Sequence, residues 1–284
     1  MTLYLPCRER PERFELNPRA PLANGLVFAG LGALPGTTHY HDSSLHGNDG
    51  ELTNMTPSDD WVWIDELGRR GLDFDYIDDY VHCGSNVGLF SRTAVTHVAW
   101  VRQSRAIVYN RITCCGRSAS TAPYLTFGLR SNTTYTVPGS PGGTYNEYNT
   151  GVSVASYLDE WVSFAATYDS QQVIAYLNGS VIGPGSGAWT GALGDLSAVS
   201  RYAAIGRDTY SARYFEGQIA DPLIYNRALT LPEIQALADP SNAMLSGLLL
   251  PPRRTIWNIG WSSPEEETSI PVIMHHRRLM QGAA

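Results

Sequence analysis

Residues 161–179 read WVSFAATYDSQQVIAYLNG, and the fold is decided by this stretch. Val162, Phe164, Ala166 and Tyr168 recur at every second position, the period of a strand that buries one face. Asp169-Ser170-Gln171-Gln172 is turn chemistry, and Val173 to Leu177 is a return strand of β-branched, apolar and aromatic residues. Asn178-Gly179 follows, a pair that tolerates the positive φ angles of a tight hairpin turn, so the chain is expected to reverse a second time. The stretch predicts successive antiparallel hairpins.

The rest of the chain speaks the same language. Strands are predicted at Gly25–Ala29, Gly71–Phe74, Asp79–His82, His97–Val101, Ala106–Tyr109, Ala203–Gly206 and Gly217–Tyr225. Pro222 inside the last of these implies an edge or a bulge, because proline donates no ladder hydrogen bond. An acidic turn, Asp75–Asp78, joins two of the strands. Gly30–Gly50 reads as a loop, and residues 131–150, almost all Ser, Thr, Asn, Gly, Pro and Tyr, read as a long loop or hairpin tip. One helix is marked by the capping box Thr230-Leu231-Pro232-Glu233, continued by Ile234, Leu237 and Ala238 and closed by Asp239-Pro240. Residues 1–20 carry no period and read as an extended arm. Residues 239–284, with Pro251-Pro252-Arg253-Arg254, Glu265-Glu266-Glu267 and His275-His276-Arg277-Arg278, read as a second arm.

Composition agrees with an all-β chain. Of 284 residues 43% are hydrophobic, enough for a sizeable core, and only 17% are charged; Gly, Pro and Tyr fill the deficit. A net charge of −7 excludes the basic surplus of a nucleic-acid binder. There is no lysine, so all 20 basic residues are arginine, whose planar fork suits ion pairs and aromatic stacking. No apolar run approaches the roughly 18 residues of a membrane-spanning helix, and Met1–Pro18 has no apolar signal region. The expectation is a product made in the cytoplasm without a signal peptide and without membrane insertion. The four cysteines, Cys7, Cys83, Cys114 and Cys115, have no CxxC spacing, so isolated thiols are expected rather than a zinc site.

Three stretches together resemble the laminin G-like, concanavalin A-like jelly-roll family. Gly25-Leu26-Val27 with Asp42-Ser43-Ser44 and Gly47-Asn48-Asp49-Gly50 is similar to the family's opening strand and loop. Gly71-Leu72-Asp73-Phe74-Asp75 with Asp78-Asp79-Tyr80-Val81 is similar to its next strand pair. Trp161–Gly179, then Ile205-Gly206-Arg207, Phe215–Asp221, Ile224–Leu229 and Glu233-Ile234, resemble its closing strands and helix. The resemblance implies a two-sheet antiparallel jelly-roll sandwich over residues 21–238, with one short C-terminal helix and extended arms at 1–20 and 239–284.

The resemblance also implies a structural calcium, with Asp42, Asn48, Gly50 and Asp221 as its oxygen donors. On the last strand, the first of the family's two aspartates is matched by Ala220 and the second by Asp221. A one-residue shift on a strand turns a side chain to the other face, which weighs against the ion. His39, His41 and His46 share a loop, with His82 elsewhere, and are expected to be surface residues. The carboxylate triplet of the family's glucanase branch is missing, as is a GxSxG elbow, so no catalytic residue is expected. Trp61, Trp63, Tyr145, Tyr148 and Trp189 fall in loop-like sequence and are the candidate glycan or partner contacts. The functional expectation is a non-catalytic structural or interaction protein, specifically a phage-type virion component such as a head-decoration or tail-associated protein. Its expected partners are other subunits of the assembly and a surface glycan, not nucleic acid. The alternative expectation is a stand-alone carbohydrate-binding module.

Overall fold

The computed structural model describes residues 16–31, 37–85, 94–106, 110–115, 125–129, 134–139, 146–183, 202–208, 212–240 and 248. The chain divides into Met1–Pro252 and Arg253–Ala284, and only the first unit contains described residues. In chain order the strands are β1 (Leu26–Ala29), β2 (His39–Tyr40), β3 (Gly50–Thr53), β4 (Trp61–Ile64), β5 (Arg69–Asp75) and β6 (Tyr80–His82). They continue with β7 (Val95–Arg102), β8 (Arg111–Cys115), β9 (Leu125–Leu129), β10 (Thr134–Gly139) and β11 (Asn146–Ser153). The last five are β12 (Trp161–Tyr168), β13 (Val173–Leu177), β14 (Ser180–Ile182), β15 (Ala203–Ile205) and β16 (Glu216–Tyr225). Two short α-helices, α1 (Pro57–Asp60) and α2 (Leu231–Leu237), and two 3-10 turns, Pro21–Ala23 and Val154–Tyr157, are the other described elements.

The strands form two antiparallel sheets. The first runs β14-β13-β12-β7-β16-β5-β4, with β1 also paired to β16; the second runs β11-β10-β9-β8-β15-β6-β3-β2. Both mix strands distant in sequence, as expected of a jelly roll. The 161–179 stretch does what its pattern implies: Phe164 pairs with Leu177 and Tyr168 with Val173. Asn178 and Gly179, at φ 49° and 74°, then make the turn into β14. The capping box of α2 forms in full, with the Glu233 carboxylate accepting from Thr230 N at 2.8 Å.

The main core lies between the sheets. Val162, Phe164, Ala166 and Tyr168 point into it, together with Leu72, Phe74, Ala99, Val101, Ile219 and Ile224. Residues between these on the same strands therefore face outward. On β16 the outward set changes parity: Ala220 joins an outer cluster with Trp100, whereas Leu223 and Tyr225 join a second outer cluster. A bulge makes the switch. The pairing with β7 shifts between Ala220 and Leu223, and Asp221 takes φ 48°. Pro222 thus sits in a bulge on a central strand, not at an edge.

Of the two readings open for residues 131–150, a long loop or a hairpin tip, the hairpin holds over the described residues: β10 and the start of β11 pair there, Thr136 opposite Asn149. Thr and Tyr are strand formers despite the polarity of the stretch. Trp61 does not lie in a loop: it opens β4 opposite Leu72. The strand expected at Ala106–Tyr109 falls mostly outside the described residues. Packing reaches past residue 20 on one side and 240 on the other, since Leu16 and Leu248 are buried in the second outer cluster and Asn17 N donates to Leu248 O at 2.7 Å.

Candidate functional site: a cleft on the outer face of one sheet

The opening loop is built around one carboxylate. Asp42 Oδ1 accepts from Ala29 N at 2.9 Å and Ser44 N at 2.8 Å; Oδ2 accepts from Ser44 Oγ at 2.7 Å and Asn48 N at 2.8 Å. A carboxylate offers about four lone-pair sites, and all are taken. Asn48 Nδ2 donates to Val27 O at 2.7 Å, stapling the loop to β1. A Cβ on Gly50 would lie 2.3 Å from Val81 Cγ1, so glycine is required there by packing. Asp221 is turned to Arg69 as a buried ion pair, with the Arg69 guanidinium also 5.9 Å from the Trp100 ring centre. Burial pushes the Asp221 carboxyl up to about 7 although Arg69 pulls it down. Of the four residues expected to hold calcium, Asp42 is thus saturated with protein donors and Asp221 already faces a cation, so the two carboxylates weigh against the ion, while Asn48 and Gly50 offer it only neutral oxygens.

The histidines do not converge either. His41 Nδ1 lies 2.8 Å from Asp49 Oδ1, while His82 stacks on Tyr202 with ring centres 4.6 Å apart. Cys83, Cys114 and Cys115 are buried thiols outside any disulfide, and Cys7 lies outside the described residues. Burial pushes the Cys83 and Cys115 thiols far up, away from reactivity.

The five candidate aromatics are not one surface. Trp61 is a core residue, edge-on to Tyr40 with centres 5.1 Å apart, its indole N–H donating to Thr37 O. Tyr148 is also buried in the core. Among the described candidates only Trp63, 47% exposed, presents its ring to solvent, over which Arg70 lies at 5.8 Å. Tyr145 and Trp189 lie outside the described residues.

A different place is concave. On the outer face of the first sheet, β5, β7 and β16 enclose a cleft of about 420 Å³ lined by Asp73, Asp75, Arg102, Asp159, Glu216 and Gln218, with Ser104 and Gly217 beside them. Strand register brings the groups together: Glu216 faces Asp75 and Gln218 faces Asp73 on β5, and Gln218 faces Arg102 on β7. Gln218 Nε2 donates to Asp73 Oδ2 at 3.2 Å. Arg105 donates through Nε, at 3.1 Å, and through Nη2 to Glu216 Oε2. Arg102 lies 3.9 Å from Glu66.

Tyr76 stands beside the cleft lining, next to Asp75. It is exposed, takes φ 70°, and lies under the Arg105 guanidinium at 5.9 Å. A left-handed φ is costly for a bulky residue, and the turn holds it through Tyr76 N donating to Phe215 O at 3.0 Å. Asp75, Asp78 and Asp79 gather in the same turn, their ligand oxygens within 4.8 Å of one another. Two of them serve the turn itself, Asp75 Oδ1 accepting from Ile77 N at 2.7 Å and Asp79 Oδ2 from Asp75 N at 3.1 Å. Burial, reinforced by the Asp75 charge, pushes Asp79 up to about 7.

None of the cleft residues was singled out by sequence. The outward alternation Asp73, Asp75 was visible, but Gln218 and Asp73 are 145 positions apart and only strand register makes them neighbours.

A two-sheet sandwich with a polar cleft on one outer face has the architecture of the lectin class. The Laminin_G_3 family, described as Concanavalin A-like lectin/glucanases superfamily, matches residues 75–235, more than half of the chain, and the chain belongs to it. Among solved structures the fold is similar to the binding domain of Paraclostridial Mosquitocidal Protein 1, with TM-score 0.56 and 15% identity over 76% of this chain and 52% of that one. It is also similar to a Trypanosoma rangeli sialidase mutant displaying trans-sialidase activity, with TM-score 0.55 and 15% identity over 80% of this chain and 36% of that one. The receptor binding domain of botulinum neurotoxin C/D mosaic serotype gives TM-score 0.51 and 14% identity over 75% and 51% of the two chains. The chain thus spans about half, or less, of these structures. No curated protein matches it in sequence.

Proposed function

We propose that this protein is a non-catalytic recognition domain that binds a glycan in the cleft of β5, β7 and β16. The observation that carries the reading is the lining itself: carboxylates, an amide and a guanidinium on a rigid sheet, in reach of an exposed tyrosine. Polyhydroxylated ligands are held by such alternating acceptors and donors. Two of the fold neighbours are themselves binding domains. Against turnover, Glu216 is occupied by Arg105 and Asp75 by its own turn amides. The carboxyls that burial pushes upward to about 7, Asp79 and Asp221, do not line the cleft. The test is a glycan array probed with the native chain and with Gln218→Ala and Arg102→Ala. Retention of a defined glycan by the native chain, weakened at least about tenfold in both variants, is expected. Absence of any retained glycan overturns the reading.

A second reading has one observation of its own. Asn17 N donates to Leu248 O, so the segments before residue 16 and after residue 248 start side by side. Terminal segments that leave the sandwich at neighbouring points suit attachment to neighbouring subunits, and the place we propose for such a chain is the virion of a phage, as a decoration or tail-associated component. Light scattering of the full chain and of a chain ending at Pro252 decides: a specific oligomer that the shorter chain loses supports it, and a monomer in both cases removes it.

A further inference from the structure

Four residues on four neighbouring strands lie in one line across the outer face of the first sheet. Trp161 of β12 is the register partner of Arg102 of β7, Arg102 of Gln218 of β16, and Gln218 of Asp73 of β5. All four face outward, because their chain neighbours Val162, Val101, Ile219, Leu72 and Phe74 are core residues. All four are part-exposed. Strands in a sheet stand about 4.8 Å apart, so the line runs about 14 Å. On one side it is bordered by an apolar cluster of Ile64, Leu67, Trp100 and Ala220, against which Trp161 packs. On the other side Asp75 and Glu216 form a polar border.

The chemistry changes in order along the line: an aromatic face, a guanidinium donor, an amide that donates and accepts, and a carboxylate acceptor. A strand spacing is close to the length of one sugar ring in an extended chain. The geometry points to a linear oligosaccharide lying across the strands, about one sugar unit per strand, stacked at one end on Trp161 and hydrogen-bonded at the other by Gln218 and Asp73. This deepens the glycan reading and rests on it. It assigns to Trp161 a role as end platform, although Trp161 does not itself line the cleft.

The experiment is calorimetric titration of the full chain with linear series from mono- to hexasaccharide: β-1,4-glucose, β-1,4-N-acetylglucosamine and α-1,5-arabinose oligomers, together with the leading hit of the array. Affinity is expected to rise at least about tenfold from the monosaccharide to the tetrasaccharide and then to level off. Trp161→Ala is expected to lose about tenfold on the tetrasaccharide and little on the disaccharide, while Trp161→Phe keeps most of the affinity. Should Trp161→Ala lower the melting temperature too far, Trp161→Leu, which keeps most of the apolar volume without an aromatic face, gives the same length-dependent readout. A monosaccharide bound as tightly as the tetrasaccharide, or a tetrasaccharide indifferent to Trp161→Ala, overturns the line while leaving the glycan reading intact. Silence across every series and the array removes both.

Discussion

One face of one sheet carries two chemistries. Toward one end, the outer surface of the first sheet is apolar: Val98, Ala165, Leu223 and Tyr225 lie under Ile234 and Leu237 of α2 and beside Leu16 and Leu248. Toward the other end the same sheet presents Arg102 of β7 and Gln218 and Glu216 of β16 to the cleft, with Trp161 of β12 in register beside Arg102. The seam is the Asp221 bulge, where β16 changes which parity faces out. The contrast shows how a sandwich keeps part of a sheet open. It covers one half with a helix, leaves the other half open, and resets the strand between them with a single extra residue.

The comparison breaks most easily from the covered half. Leu237→Ala opens a cavity under α2 and is expected to cost about 2–5 kcal/mol in urea denaturation, with the affinity of the cleft unchanged at temperatures where the variant is folded. A cost under about 1 kcal/mol would show that α2 does not hold that half. Asp42→Ala strips the acceptor from four donors and loosens β1, which borders the covered half; about 3 kcal/mol is expected from the same measurement, with no response to calcium or chelator in either form. A calcium-dependent melting temperature in the native chain would contradict the saturated carboxylate.

The pH profile probes the seam. Asp221 and Asp79, both pushed up to about 7 by burial, are favoured in their neutral forms. Their contribution to stability is complete below the ordinary aspartate pKa of about 4 and is lost as pH rises through about 7. His97, lowered to about 4 by burial, works the other way: its contribution is present above about 6.5 and is lost as pH falls toward 4. Between about pH 4 and 6.5 the two carboxyls outweigh the one imidazole, and from there to about 7 the fall due to the carboxyls continues. Thermal melts are expected to show stability falling between about pH 4.5 and 7 and levelling above, with a shallower fall in Asp79→Asn. Equal slopes in the two proteins would remove Asp79 from the account.

Smaller effects sharpen the open half. Gln218→Ala should change stability by no more than about 1 kcal/mol, since its hydrogen bond to Asp73 is part-exposed, yet abolish most ligand affinity. Trp63→Ala, at an exposed ring away from the cleft lining, should stay within about 0.5 kcal/mol and leave binding unaltered. Lost binding in Trp63→Ala with unaltered binding in Gln218→Ala would move the site to the β4 edge.

Much of the architecture could be read before any coordinates. Strict alternation in 162–168, Asn178-Gly179 and the box at Thr230–Glu233 each specify local geometry through sterics and nearby hydrogen bonds. The same locality explains where that reading stops. Trp61, beside Pro57-Ser58-Asp59-Asp60, looks loop-bound because its strand partner, Leu72, is 11 positions on. Residues 131–150 leave loop and hairpin both open by local reading, because their strand-forming Thr and Tyr are diluted by Gly, Asn and Pro. The Asp42–Gly50 loop was visible as a unit, but not that Ala29 N, 13 residues away, fills one of the carboxylate's sites.

By itself the sequence determined the class of fold, the hairpins, the capped helix and the family, because each depends on residues close together in the chain. Only the tertiary structure decided the site. Trp161, Arg102, Gln218 and Asp73 become a row solely through the pairing of β12, β7, β16 and β5, and strand register is a property of the whole sheet that no local pattern encodes.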